Sequence, residues 1–166
     1  VVGNKKLMEQ VGSSISEKIN KSIIAEQELG KTVSYISVNG KVAGFVAITD
    51  AIKQTSKQAI NALRKQGIEV IMLTGDNKRT AKSVADSLNL TSFQAECLPE
   101  DKLNVIQKLQ AEAKVVAMAG DGINDAPALA QAHIGIAIGT GTDVAIESSD
   151  LTLIKGDFLC IVKAIN

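Results

Sequence analysis

Aromatic residues are scarce in this chain: three Phe, one Tyr and no Trp make up 2% of its 166 residues. That excludes a base-stacking platform for single-stranded nucleic acid. Neither sign of charge is in excess, with 18 basic and 18 acidic residues, so a generic binder of nucleic acid or of anionic membranes is excluded too. No apolar run approaches the roughly 18 residues that cross a bilayer. The opening "VVGNKKLMEQ" lacks the apolar core and cleavage pattern of a signal peptide. It also lacks an initiator Met, and the expectation is a piece cut from something longer. The two cysteines, Cys97 and Cys160, form no CxxC pair. Two buried, reduced thiols are expected, which suits a cytosolic compartment. The single His133 has no second ligand near it in sequence, so a structural or surface role is expected. "NKS" and "NLT" match glycosylation sequons, but with no sign of secretion they read as accidental.

What is present is an ordinary globular composition, 45% hydrophobic, in a length that allows one domain or one plus part of another. From Ile48 onward, apolar strand-like runs alternate with helical patterns. "IEVIMLT", "KVVAMA", "IGIAI" and "LTLI" read as strands. "QTSKQAINALRKQG", "NKRTAKSVADSLNL", "PEDKLNVIQKLQAEA" and a segment from about Asn124 read as helices. Val/Ile-rich strands separated by single helices predict a doubly wound parallel α/β sheet, with reactive groups at the carboxyl ends of the strands. The first 48 residues differ. A helix over 13–29 leads to two alternating runs, "TVSYISV" and "VAGFVAI", joined by "NG", a hairpin signal. Residues 1–48 therefore read as part of an α+β domain and residues 49–166 as the α/β domain.

Three strand and helix ends carry candidate chemistry. After "VIMLT", Thr74 offers a hydroxyl, Gly75 allows close backbone approach, and Asp76 or Asn77 can cap the next helix. This is either an anion cradle or turn chemistry. Lys102 lies in the first turn of its helix, where the dipole disfavours a cation; it is either neutralised by Glu100 and Asp101 or aimed at a phosphate. In "GDGIND", Asp121 and Asp125 stand four residues apart at a strand end. Two such carboxylates repel unless a cation sits by them. Mg²⁺ suits the place, since it takes few carboxylates and completes its octahedron with water and phosphate oxygens. Asn124 and Asp125 could instead be helix caps. Two tempting motifs fail. "AEQELGKT" has Ala25 at the first P-loop glycine and a helical lead-in, and "GTGTDV" has Val144 at the third glycine of a dinucleotide fingerprint.

"MLTGDN", "LPEDK" and "AGDGINDAPAL", in that order, resemble three signature motifs of P-type cation-pumping ATPases, whose phosphorylation domain is haloacid-dehalogenase-like. "GIAIGTGTDVAIESSD" resembles the copper- and silver-exporting subclass, and "VVGNKKLM" the end of its nucleotide-binding domain. The resemblance spans essentially the whole chain. It implies Asp121 as the Mg²⁺ ligand with Asp125 as the second acid, Thr74 holding the phosphoryl group and Lys102 neutralising its charge. Gly75, Asp76, Gly122 and Asn124 would border that site. Gly3 and Asn4 would lie near bound ATP, and Asp50 would be the hinge into the phosphorylation domain.

The family's aspartate nucleophile sits in a "DKTGT" segment that this sequence does not contain. Its strand would run between those ending at Thr74 and Ala119, leaving two apolar edges on a gap. The resemblance thus implies a segment on the cytoplasmic face of a heavy-metal pump. Its partners would be ATP, Mg²⁺ and the rest of that pump, with no nucleic acid and no membrane insertion of its own. The alternatives are a stand-alone phosphatase of the wider superfamily and a non-catalytic module that binds Mg²⁺–phosphate or a partner strand.

Overall fold

Asn39 and Gly40 both take positive φ, 49° and 74°, the conformation a tight hairpin requires. They join strands β2 (Thr32–Val38) and β3 (Lys41–Ile48). A short β1 (Val2–Gly3) adds to the other side of β2, giving an antiparallel sheet of order β1-β2-β3. Helices α1 (Lys5–Gln10) and α2 (Glu17–Glu28) cover it. Met8, Ile23, Val33, Tyr35 and Val42 form the core between them. The helix expected from residue 13 begins at Glu17, because the Ser16 hydroxyl caps it and Ser14 is drawn away to bridge to Lys41. The computed structural model describes residues 1–49, 52, 54–139, 142–153 and 157–165. Asp50, the expected hinge, lies outside them.

Beyond this sheet the chain alternates as expected: α3 (Gln54–Lys65), β4 (Ile71–Leu73), α4 (Lys78–Ser87), β5 (Ser92–Gln94), α5 (Pro99–Ala111) and β6 (Ala117–Gly120). A 3₁₀ turn (Ile123–Asp125) then leads to α6 (Ala126–Gln131), β7 (Ile134–Ile138), α7 (Asp143–Glu147), β8 (Leu151–Leu153) and α8 (Leu159–Ile165). All ladders here are parallel, which makes this an α/β fold. The sheet is in two pieces, β4-β5 and β6-β7-β8, with no ladder joining them among the described residues. Strands β4 and β6, which the sequence reading sets on either side of a missing strand, belong to different pieces.

Burial follows the division. Gly135, Ile136 and Ala137 in the middle of β7 are buried, whereas every residue of β4 is only half-buried. The apolar core is correspondingly split. Ala85, Leu88 and Leu90 pack with Met72 and Phe93 under one piece, and Ile106, Val116, Met118, Ala128 and Leu129 pack under the other. His133 fastens the second piece: its backbone N–H donates to the Val116 carbonyl at 2.9 Å, and its Nδ1 accepts from the Val116 N–H at 3.2 Å. Of the two cysteines expected to be buried, Cys97 is, but Cys160 is exposed. It is the neighbouring Ile161 that α8 turns inward.

Candidate functional site

The candidate residues lie just after β4, in the first turn of α5 and just after β6. Thr74 follows β4 and is half-buried. Its hydroxyl accepts from the Asp76 N–H at 3.1 Å and donates to Asp76 Oδ2 at 3.0 Å. Asn77, not Asp76, caps α4, accepting from the N–H groups of Arg79 and Thr80. Asp76 is thereby left to hold the Thr74 hydroxyl. Gly75 is exposed, and a Cβ there would stand 3.6 Å from the Cys97 carbonyl.

Cys97 connects this loop to α5. Its N–H donates to the Thr74 carbonyl at 3.0 Å. Burial pushes its thiol pKa up; the hydrogen bond with the Thr74 backbone offsets part of this, and the nearby Asp101 and Lys102 charges act in opposite directions. Pro99 opens α5, and the Asp101 carboxylate closes its first turn by accepting from the Leu98 N–H at 2.8 Å. Lys102 then projects from that turn towards β6.

There the Lys102 Nζ meets Asp125 Oδ1 at 2.6 Å, with both side chains largely withdrawn from solvent, 14% and 11% exposed. Neither Glu100 nor Asp101 takes the Lys102 ammonium as an ion-pair partner among the described residues. The other Asp125 oxygen accepts from the Gly122 N–H at 3.4 Å. Gly120 is what lets Asp125 fold back over the strand end, since a Cβ on it would lie 2.7 Å from the Asp125 Cβ. Sequence reasoning passed over Gly120; its signal was a glycine closing an apolar strand just before the acid.

Asp121 differs from its neighbour. It is exposed, and no hydrogen bond or ion pair reaches its carboxylate among the described residues. Its carbonyl accepts from the Thr142 N–H at 3.1 Å, which ties the loop to the start of α7. No cluster of three or more His, Cys, Asp or Glu side chains forms among the described residues. One open carboxylate on the loop whose other acid pairs with Lys102 fits Mg²⁺, which fills most of its octahedron with water and phosphate oxygens. It does not fit a site built wholly of protein ligands. Asn124 is exposed and Gly122 half-buried at the same loop.

Lys102 and Asp125 thus form one ion pair, with Asp121 four residues before Asp125 on the same loop, while Thr74 is tied through its backbone carbonyl to Cys97, five residues before Lys102. Gly3 and Asn4 stand apart on the antiparallel sheet. Gly3 pairs with Tyr35, and the Asn4 side chain caps α1 by accepting from the Leu7 N–H.

A sequence profile for haloacid dehalogenase-like hydrolases matches residues 1–133, most of the chain. The chain belongs to that family. Within it, this hydrolase segment is 49% identical over 165 residues to the "Copper-exporting P-type ATPase" of Staphylococcus epidermidis, covering 99% of this chain and 21% of that protein. Its counterpart in Staphylococcus aureus is 48% identical over the same span. The chain spans about a fifth of the length of these relatives. Among solved structures, a zinc-transporting PIB-type ATPase superposes with a TM-score of 0.73 at 39% identity, over 90% of this chain and 24% of that one. The catalytic domain of a CPx-ATPase superposes with a TM-score of 0.69 at 30% identity, over 80% and 53%. The relatives and structural neighbours of this hydrolase segment are therefore heavy-metal P-type ATPases. No helix among its described residues is long and apolar enough to cross a membrane.

Proposed function

We propose that this chain is the cytosolic catalytic segment of a heavy-metal P-type ATPase, and that its residues just after β4, in the first turn of α5 and just after β6 handle the phosphoryl group of ATP. The observation that supports the reading is the Lys102–Asp125 pair, which joins a cation from the start of α5 to the second acid of the loop after β6. A solitary buried lysine would be costly there, and pairing holds it ready beside an open carboxylate.

In this reading Mg²⁺ supplies charge neutralisation to the phosphoryl oxygens. Asp121 and Asp125 would be the acids that hold it. Thr74 donates its hydroxyl proton to a phosphoryl oxygen, and Lys102 offsets the negative charge that shifts during transfer. Gly75, Asp76, Gly122 and Asn124 border the pocket. The accepting aspartate, which forms the aspartyl-phosphate, belongs to a segment that this sequence does not contain. Residues 1–48 form part of the nucleotide-binding domain, with Gly3 and Asn4 near ATP, and residues 49–166 form the phosphorylation domain. The exported cation is copper, by likeness to the staphylococcal pumps.

The test is phosphoenzyme formation. Incubated with radiolabelled ATP and Mg²⁺, the 166-residue chain should gain no acid-stable, hydroxylamine-sensitive label. A longer pump that contains it should be labelled in a copper-dependent way, and Asp121→Asn should abolish the label. Label on the isolated chain would instead favour a stand-alone phosphatase.

A further inference from the structure

A contact between the antiparallel sheet and the Thr74 loop has no part in phosphoryl chemistry as described so far. Thr32, the first residue of β2, donates its hydroxyl to Asp76 Oδ1 at 2.8 Å. The opposite oxygen, Asp76 Oδ2, accepts the proton of the Thr74 hydroxyl at 3.0 Å. One carboxylate therefore bridges two hydroxyls, one from each half of the chain.

The placement of Thr32 is fixed by its neighbours. Thr80, at the start of α4 and only 1% exposed, donates to the Lys31 carbonyl at 2.9 Å and accepts from Asn77 Nδ2 at 2.9 Å. Gly30, at φ 79°, turns the chain out of α2 where a Cβ would stand 3.3 Å from the Ser83 hydroxyl of α4. The start of β2 is thus clamped on the first turns of α4 by a buried hydrogen bond, and the Thr32 hydroxyl arrives over Asp76 as a result.

The proton count gives this bridge a consequence. Thr74 has one hydroxyl proton, and in this structure Asp76 takes it. To donate to a phosphoryl oxygen, the hydroxyl must turn away, leaving Asp76 Oδ2 without that donor. A carboxylate that keeps a second donor gives up the first more readily, because an unsatisfied anion is costly. We infer that Thr32 is a positioning residue: by holding Asp76 from the antiparallel sheet, it releases the Thr74 hydroxyl to bind phosphate and couples that release to docking of the sheet on α4. This rests on the proposed function, in which the Thr74 hydroxyl donates a hydrogen bond to the phosphoryl group.

The experiment titrates inorganic phosphate, with Mg²⁺ present, into the isotope-labelled chain and follows the Thr74, Gly75 and Asp76 amide resonances. Thr32→Val removes the donor but keeps a β-branched side chain suited to a strand. It should weaken phosphate binding roughly three- to tenfold, about the worth of one ordinary net hydrogen bond, which suits an indirect effect at an exposed contact. Thr32→Ser should restore wild-type binding, which a packing role for the side chain would not do. Thr74→Val should weaken binding at least as much as Thr32→Val. If Thr74→Val weakens binding while Thr32→Val matches wild type, the positioning role is overturned and the Thr74 reading stands. If Thr74→Val itself binds like wild type, the Thr74 reading falls and the inference falls with it.

Discussion

Replacing Asp125 with Ala should destabilise the chain by about 3 kcal/mol or more. The reason is what it leaves behind. The Lys102 side chain is 14% exposed, so water cannot take the place of the carboxylate 2.6 Å from its Nζ. An exposed ion pair lost in the same way would cost only about 0–1 kcal/mol. The companion variant separates the cost of stranding a charge from the value of the pair. Lys102→Met with Asp125→Leu removes both charges, keeps most of the volume, and should recover stability to within about 1 kcal/mol of wild type. Urea titration in a stabilising osmolyte measures both. Equal, small effects for Asp125→Ala and for the double variant would mean that the pair is solvated and that Lys102 is not held for a purpose.

Unfolding of the chain alone should be neither strongly stable nor concerted, with less than the roughly 5 kcal/mol that marks the low end for a domain. A parallel sheet is ordinarily covered on both faces and continuous through its centre. Here Ile71, Met72 and Leu73 of β4 are all half-buried, and among the described residues the core is divided into three clusters instead of one. The chain offers a convenient pair of probes. It has no Trp and a single Tyr, Tyr35, which is buried in the cluster of the antiparallel sheet. Tyrosine fluorescence therefore reports that cluster alone, while far-ultraviolet circular dichroism reports the whole. The two urea curves should not coincide. Coincident curves with a stability of about 5–15 kcal/mol would show that the two sheet pieces need no intervening strand.

Much of this was legible in the sequence where a local pattern decides the outcome. Asn-Gly set the hairpin at residues 39 and 40, and "IGIAI" became β7 over Ile134–Ile138 as read. Pro99 with two acids opened α5. Local pattern was silent where long-range pairing decides. Strand β5 is three residues of "SFQ", half-buried or exposed, and exists because β4 lies alongside it in parallel. Strand β1 is two residues long and owes its form to β2.

The site shows the same division. That Asp121 and Asp125 need a cation nearby follows from charge alone, but the cation beside Asp125 is Lys102, 23 residues earlier in the chain. Only the α5 crossover makes them neighbours. Thr32 and Asp76 are 44 residues apart, one on the antiparallel sheet and the other in the loop after β4, so no spacing rule could join them. Gly120 was visible as a residue but not as a reason, since the space it provides is filled by Asp125 after the chain turns back.

The most direct test of the shared pocket uses Mn²⁺ in place of Mg²⁺, because a bound paramagnetic ion broadens amide resonances close to it. With inorganic phosphate present, Mn²⁺ should broaden Thr74, Gly75, Lys102 and residues 121–125 together, and Asp121→Asn should abolish the broadening at all of them. Broadening confined to residues 121–125, with Thr74 and Lys102 untouched, would contradict a single magnesium–phosphoryl pocket built from the residues after β4, at the start of α5 and after β6.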